Sequence, residues 1–187
     1  TGYREFINTL IIEGRQVLEG DYIASDEAIK VINRQPTLQN EPGAEFNYNN
    51  TAFALLATLV ERVSGMEFPE FMATRVFGPI GMTHTLVRGS PETIVPGMSM
   101  GYRPGGKSGY LETRDLFGAM GAGGIYTTVG DLQLWVQNLD SPRVGSRGIV
   151  DQMTTSFVLT NGDSTGYGFG LFIDQHRGLK RIQHGGA

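Results

Sequence analysis

The chain has 187 residues, enough for one domain with a real core, and its 40% hydrophobic and 18% charged residues are ordinary for a globular protein. A net charge of −4 with acids and bases interspersed argues against a nucleic-acid partner, which wants a basic stripe. No apolar run reaches the length of a membrane span, since the longest, around 52–60, is broken by Glu61 and Arg62.

Residues 3–13 carry Tyr3, Phe6, Ile7, Leu10 and Ile11 at helical spacing. Ser25-Asp26-Glu27 opens a second helix, with Ser25 as cap and the acids at its positive end. Ala28, Ile29, Val31 and Ile32 give that helix its apolar face, and Pro36 ends it. Glu41-Pro42-Gly43 is a turn. Phe46-Asn47-Tyr48-Asn49-Asn50 then leads into an apolar helix over 51–63, stopped at Ser64-Gly65. A further helix over 68–77 is expected to stop at Gly78-Pro79. Residues 88–124 are rich in Gly, Pro and Ser, show no strong period, and read as long connections packed on a scaffold. Thr128-Val129-Gly130-Asp131 has capping-box form ahead of Leu132, Leu134, Trp135, Val136 and Leu139. The end of the chain changes character. Two strand-like runs, 167–174 and 179–183, flank Gln175-His176-Arg177-Gly178 and predict a hairpin.

Few residue types are available for chemistry. Cysteine is absent, which removes disulfides, thiol nucleophiles and thiolate metal sites together. The histidines are His84, His176 and His184, and no two stand at helical ligand spacing, so a zinc site is not expected. No cofactor is expected either. Tyr48 becomes a base only with a neighbour that stabilises its phenolate, and Asn50 next to it is a natural helix cap. In His184-Gly185-Gly186, which ends the last predicted strand, two glycines let backbone N–H groups approach a ligand. Taken singly, each motif is more often structural than catalytic. Gly97-Met98-Ser99-Met100-Gly101 fits the nucleophile elbow of an α/β-hydrolase esterase. Its context is wrong, because Pro91 and Pro96 precede it and Tyr102-Arg103-Pro104-Gly105-Gly106 follow, where an elbow needs a strand and then a helix. Of the acids that could serve such a serine, Asp131 reads as a cap residue, and nothing in the sequence supports Asp115 or Asp174.

Taken together the weak motifs carry a resemblance. Tyr48-Asn49-Asn50 before an apolar helix, approached through Pro42-Gly43, resembles the Tyr-x-Asn signature of the class C β-lactamase and penicillin-binding-protein-like serine hydrolases. In the same order, Phe77-Gly78-Pro79-Ile80-Gly81-Met82 resembles the family's turn after its next helix. Gly121-Ala122-Gly123-Gly124-Ile125-Tyr126-Thr127-Thr128 with Asp131 and Trp135 resembles its glycine-pair segment and helix. Tyr167-Gly168-Phe169-Gly170-Leu171 resembles the entry to the strand before the third signature, which is Lys-Thr-Gly in many members and His-x-Gly in others, here His184-Gly185-Gly186.

The resemblance implies an α+β fold of the β-lactamase/transpeptidase type, with a helical subdomain over 1–164 and, over 165–187, a hairpin belonging to an antiparallel sheet. It implies acyl transfer to a serine from a small-molecule or peptide substrate: a β-lactam, a D-amino-acid peptide or a carboxylic ester. Tyr48 would be the acid/base. Asn50 would orient the substrate amide, and His184 would stand beside the substrate where many members have lysine. Gly185 and Gly186 would border the acyl group, and the Ala187 N–H would face the oxyanion. Histidine in place of lysine leans the expectation toward peptidase or esterase work, by analogy. The family is periplasmic or secreted in habit, although no signal segment opens this sequence. One part is missing. The family's nucleophile is the serine of Ser-x-x-Lys, and no serine here has lysine three residues on. The expectation is a segment of a larger hydrolase, inactive alone, that is unstable, self-associates or is completed by the rest of its domain. A non-catalytic binding module of the same fold is the alternative.

Overall fold

The computed structural model describes residues 1–17, 20–113 and 117–186. Helices dominate its first half, as the apolar spacing requires. Helix α1 (Phe6–Ile12) buries Phe6 and Leu10, four residues apart and therefore on one face. Strand β1 (Ile23–Ala24) leads into α2 (Ser25–Asn33), which buries Ala28, Val31 and Ile32. These side chains close a first core together with Ile23 and Ala119. Helix α3 (Asn50–Ser64) stops at Gly65, whose left-handed φ of 69° ends the helix without a Cβ penalty. Helix α4 (Phe68–Phe71) continues through a π-helical turn (Met72–Phe77) into α5 (Gly78–Ile80). A second core gathers Ala57, Phe68, Phe77, Ile80, Met82 and Val87, with Leu134 and Trp135 packed against it.

The remaining elements are β2 (Leu86–Val87), β3 (Gly101–Pro104), β4 (Tyr110–Thr113), β5 (Phe117–Gly118), β6 (Ile125–Tyr126), α6 (Val129–Asp140), α7 (Arg147–Met153), β7 (Phe172–His176) and β8 (Leu179–Gln183). The strands form two-stranded pairs: β1 with β5 in parallel, and β2 with β6, β3 with β4 and β7 with β8 antiparallel. The β1–β5 pair ties residues far apart in the sequence, and Ser25 locks it. The Ser25 hydroxyl donates to the Gly118 carbonyl at 2.8 Å and accepts the Met120 N–H at 3.0 Å. The segment that follows lies directly on α3. A Cβ on Gly121 (φ 87°) would stand 2.5 Å from the Phe53 carbonyl oxygen and 2.6 Å from the Ala57 Cβ.

Several expectations change. Ser25 is the first residue of α2 and not its cap, because its hydroxyl is engaged across the chain. Gly78-Pro79 does not stop the fourth helix. The π turn lets the Gly78 N–H reach the Ala73 carbonyl, and Pro79 falls in the first turn of α5, where its missing N–H breaks no helical bond. The stop is Gly81, with φ 93°. Residues 88–124 contain the β3–β4 hairpin, whose residues are all exposed, so no alternation of polarity marks it. Half of the capping box at Thr128 forms. Its Oγ1 accepts the Asp131 N–H at 3.2 Å, but the Asp131 carboxylate turns away to accept the His84 N–H (2.8 Å) and the Thr85 hydroxyl (2.6 Å). Helix α7 had no expectation, although Ser146 caps it through the Ile149 N–H.

Candidate active site

The last hairpin and the start of α3 bring the two expected motifs together. The β7–β8 hairpin turns on Arg177 (φ 52°) and Gly178 (φ 79°), the paired left-handed residues of a tight hairpin turn. Its register pairs Phe172 with Gln183, so His184 leaves β8 beside Phe172. On the other side, Asn49 caps α3 by accepting the Ala52 N–H at 2.9 Å, which places Tyr48 just outside the helix and Asn50 in its first turn. The sequence made Asn50 the cap. The structure gives that duty to Asn49, and the Asn50 carboxamide has no hydrogen-bond partner among the described residues.

Five rings meet here. Tyr48 lies 5.7 Å from His184 between centroids, at 36°, and stacks on Phe172 at 6.4 Å and 10°. Phe172 is 5.5 Å from the imidazole. Tyr167 stands edge-on to Tyr48 (6.3 Å, 88°) and to Phe172 (4.7 Å, 78°), and lies 6.2 Å from His184. Phe46 closes the far side against Tyr167 at 5.3 Å. The edge-on contacts put a positive ring edge against a negative face, the favoured arrangement for aromatic pairs. Tyr167 is the buried member at 9% exposure, whereas Tyr48 is 47% exposed. Burial, and secondarily the neighbouring Tyr48, pushes the Tyr167 phenol up to about 12.

The His184 Nδ1 lies 2.5 Å from the Gly185 carbonyl oxygen. A carbonyl only accepts, so in the neutral ring Nδ1 carries the proton and Nε2 keeps its lone pair. Among the described residues, nothing apart from the adjoining residues lies within 4 Å of a Cβ built on Gly185 or on Gly186, which leaves this backbone open to a ligand. Ala187 lies outside the described residues, as does Asp115. Among the described residues no three His, Cys, Asp or Glu side chains cluster as metal ligands. No helix among them is long and apolar enough to cross a membrane.

The esterase alternative loses its geometry. Ser99 is exposed, precedes the β3–β4 hairpin and not a helix, and bonds no histidine among the described residues. Asp174 is occupied by Arg181, with both contacts at 2.7 Å, and by Gln183 at 3.0 Å. The Arg181 guanidinium holds the Asp174 carboxyl below the usual carboxylate range. Sequence reasoning missed Phe46, Phe172 and the packing role of Tyr167. It also missed Glu5, whose carboxylate reaches the Asn50 N–H across 45 residues. Glutamate is not a favoured cap residue, so nothing local announces it.

Comparisons with known proteins identify the fold and the family. A family model described as Beta-lactamase matches residues 12–187. The D-aminopeptidase of Gluconobacter oxydans is 27% identical over 187 residues, which is 100% of this chain and 35% of that protein. A D-stereospecific amidohydrolase from Streptomyces superposes with a TM-score of 0.80 at 22% identity, over 100% of this chain and 58% of that one. The D-amino acid amidase of Ochrobactrum anthropi, solved with L-phenylalanine amide, superposes with a TM-score of 0.76 at 21% identity, over 98% of this chain and 54% of that one. The chain thus spans about a third of the length of the curated relatives it matches and somewhat over half of these solved structures. The architecture is α+β, of the β-lactamase/transpeptidase type. With the model matched over nearly all of its length, this chain belongs to the Beta-lactamase family, the β-lactamase and penicillin-binding-protein-like serine hydrolases.

Proposed function

We propose that this chain carries the proton-handling and substrate-orienting half of a serine amidohydrolase site, one that cleaves amides or short peptides of D-amino acids through an acyl-enzyme. Tyr48 is the acid/base. Asn50 orients the substrate amide with a carboxamide that no neighbour among the described residues occupies. His184 stands beside the substrate with Nε2 as acceptor, and Gly185, Gly186 and the Ala187 N–H border the acyl carbonyl. The helical part, 1–164, supplies the first pair, and the hairpin part, 165–187, supplies the rest. The observation that carries the reading is the approach of Tyr48 to His184, 5.7 Å between ring centroids, from positions far apart in the sequence. The substrate class comes from the relatives, a D-aminopeptidase and a D-stereospecific amidohydrolase. The attacking serine and its lysine come from polypeptide outside these 187 residues, since no serine here has lysine three positions on.

In this scheme the serine oxygen bonds to the carbonyl carbon while its proton passes to the Tyr48 phenolate, the form that the ammonium of the lysine supplied with the serine would stabilise. The amide C–N bond then breaks, and the same proton leaves with the amine. Water repeats the sequence on the ester so formed. The test is a hydrolysis panel on the whole protein, with D- and L-amino-acid amides, carboxylic esters and a β-lactam. The D-amides are expected to turn over fastest. Tyr48→Phe is expected to lower kcat by about 10²- to 10⁴-fold, the usual share of a positioned acid/base. Equal turnover of D- and L-amides refutes the substrate class, and an unchanged kcat in Tyr48→Phe refutes the role of Tyr48. The 187-residue chain by itself is expected to take no covalent label from a fluorophosphonate. Labelling at Ser99 would restore the elbow reading.

A further inference from the structure

The start of α3 is held by a set of contacts that neither the motif nor the family match assigns. The first N–H groups of any helix lack intrahelical partners. In α3 the N–H of Asn50 goes to Glu5 Oε2, while Glu5 Oε1 accepts the Ile7 N–H of α1 at 3.2 Å. One carboxylate therefore caps two helices. The exchange is reciprocal. The Phe6 N–H, first in α1, donates to the Thr51 hydroxyl at 2.9 Å, and that hydroxyl donates to the Arg4 carbonyl at 2.6 Å. The Asn49 Nδ2 donates to the Tyr3 carbonyl at 2.8 Å. Three consecutive residues, Asn49, Asn50 and Thr51, are thus bonded to Tyr3–Phe6, and Thr51 is 1% exposed.

We infer that Glu5 is a positioning residue for the active site: it fixes the residue at which α3 begins, and with it the directions of Tyr48 and the Asn50 carboxamide. The argument is geometric. Successive helical side chains are rotated by about 100°, the turn of a 3.6-residue helix, so a start displaced by one residue would swing Asn50 by that angle. Asn49 and Asn50 are equivalent cap residues by type. Local sequence therefore leaves the two registers close in energy, and the Glu5 carboxylate selects one by accepting the Asn50 N–H. Its negative charge at the positive end of a long helix favours the same register. Glu5 touches no substrate group in this scheme and acts through Tyr48 and Asn50 alone.

The consequence for turnover rests on the proposed function, so the experiment reads geometry separately from catalysis. In the whole protein, Glu5→Gln keeps the shape but leaves one acceptor oxygen for two N–H groups, and Glu5→Ala leaves none. Amide exchange at Asn50 or Ile7 is expected to quicken about tenfold in Glu5→Gln, the loss of one bond to a charged acceptor. Both sites are expected to quicken in Glu5→Ala. The His184 ring resonances are expected to shift with them, because Tyr48 shields that ring. On the best substrate of the panel, kcat should fall more than KM rises, with Glu5→Gln intermediate. Unchanged His184 resonances in a folded Glu5→Ala protein would overturn the inference, as would a lowered melting temperature with kcat intact. Should no substrate turn over, the resonance and exchange measurements still decide the role of Glu5, and only the functional reading fails.

Discussion

At the scale of single residues, Tyr167 illustrates how packing reveals a neighbour of the candidate site. Its phenol is buried against Tyr48, Phe172 and Phe46, and burial raises its pKa from the ordinary tyrosine value to about 12. The folded state therefore prefers the neutral ring. A group whose folded pKa lies above its unfolded value contributes fully below the unfolded pKa, near 10, and loses that contribution as pH climbs through the folded one. The expected loss of unfolding free energy between those values is about 3 kcal/mol, from roughly 1.4 kcal/mol per pKa unit. Denaturant titrations of the protein and of Tyr167→Phe across this alkaline window measure it. The phenylalanine variant keeps the ring contacts and is expected to lack that slope. Matching slopes would mean that the phenol is solvated. The same scale shows what a sequence reader meets at Tyr48-Asn49-Asn50. Composition and position mark the motif, but the choice of cap between two adjacent asparagines is made by Glu5 and Tyr3, which local reasoning does not see.

At the scale of elements, the amphipathic helices α1, α2, α3 and α6 were legible because each carries apolar residues at helical spacing. The terminal hairpin was legible from its turn residues, although β7 begins at Phe172 and Tyr167 makes only a single bridge to it. The β3–β4 hairpin was not legible. Its strands are exposed on both faces, which removes the alternation that marks a half-buried strand. The helix through Gly78-Pro79 was misread because a π turn rearranges the bonding that proline normally interrupts. Contact between elements also gives glycine different meanings at different places. Gly121 presses on α3 through Phe53 and Ala57, whereas Gly106, also at positive φ (60°), has nothing within 4 Å. Gly106→Ala is therefore expected to cost about 1 kcal/mol, the penalty for an L-residue in the left-handed region. Gly121→Ala is expected to cost upwards of 3 kcal/mol, because the methyl group must also displace backbone. Denaturant midpoints at constant m-value measure both, and equal costs would show that the 119–124 segment yields to the methyl group.

At the scale of the whole molecule, the question is what the cores leave uncovered. Helix α3 buries Ala54 and Ala57 but exposes Leu56 (51%), Leu59 (52%) and Val63 (79%). Helix α6 exposes Val129, Leu132 and Val136. In each set the spacing of three and four residues puts the aliphatic side chains on one helical face. Isolated exposed leucines are ordinary on a protein surface, but two aliphatic stripes on one small domain are not. The β7–β8 hairpin adds a second source of stickiness, since no third strand among the described residues pairs with it: Gly166 and Tyr167 bond along part of β7, and the outer edge of β8 stays open. Both features act in the same direction: water-exposed aliphatic area favours association, and an open strand edge offers it hydrogen bonds. The 187-residue chain is therefore expected to self-associate with rising concentration and to bind a hydrophobic dye strongly. Light scattering coupled to size exclusion measures the first, and dye titration the second. Replacing Leu59 and Val63 with lysine, and separately Val129 and Val136, identifies which face dominates. These positions are already exposed, so the replacements remove contact area without opening a core. A concentration-independent monomer with no dye binding would show that the stripes are too well separated by polar residues to act together. Reversal of association by the lysines on α3 but not on α6 would place the contact on the helix that carries Tyr48-Asn49-Asn50 at its other end, and would tie the assembly of the molecule to the element that positions its site.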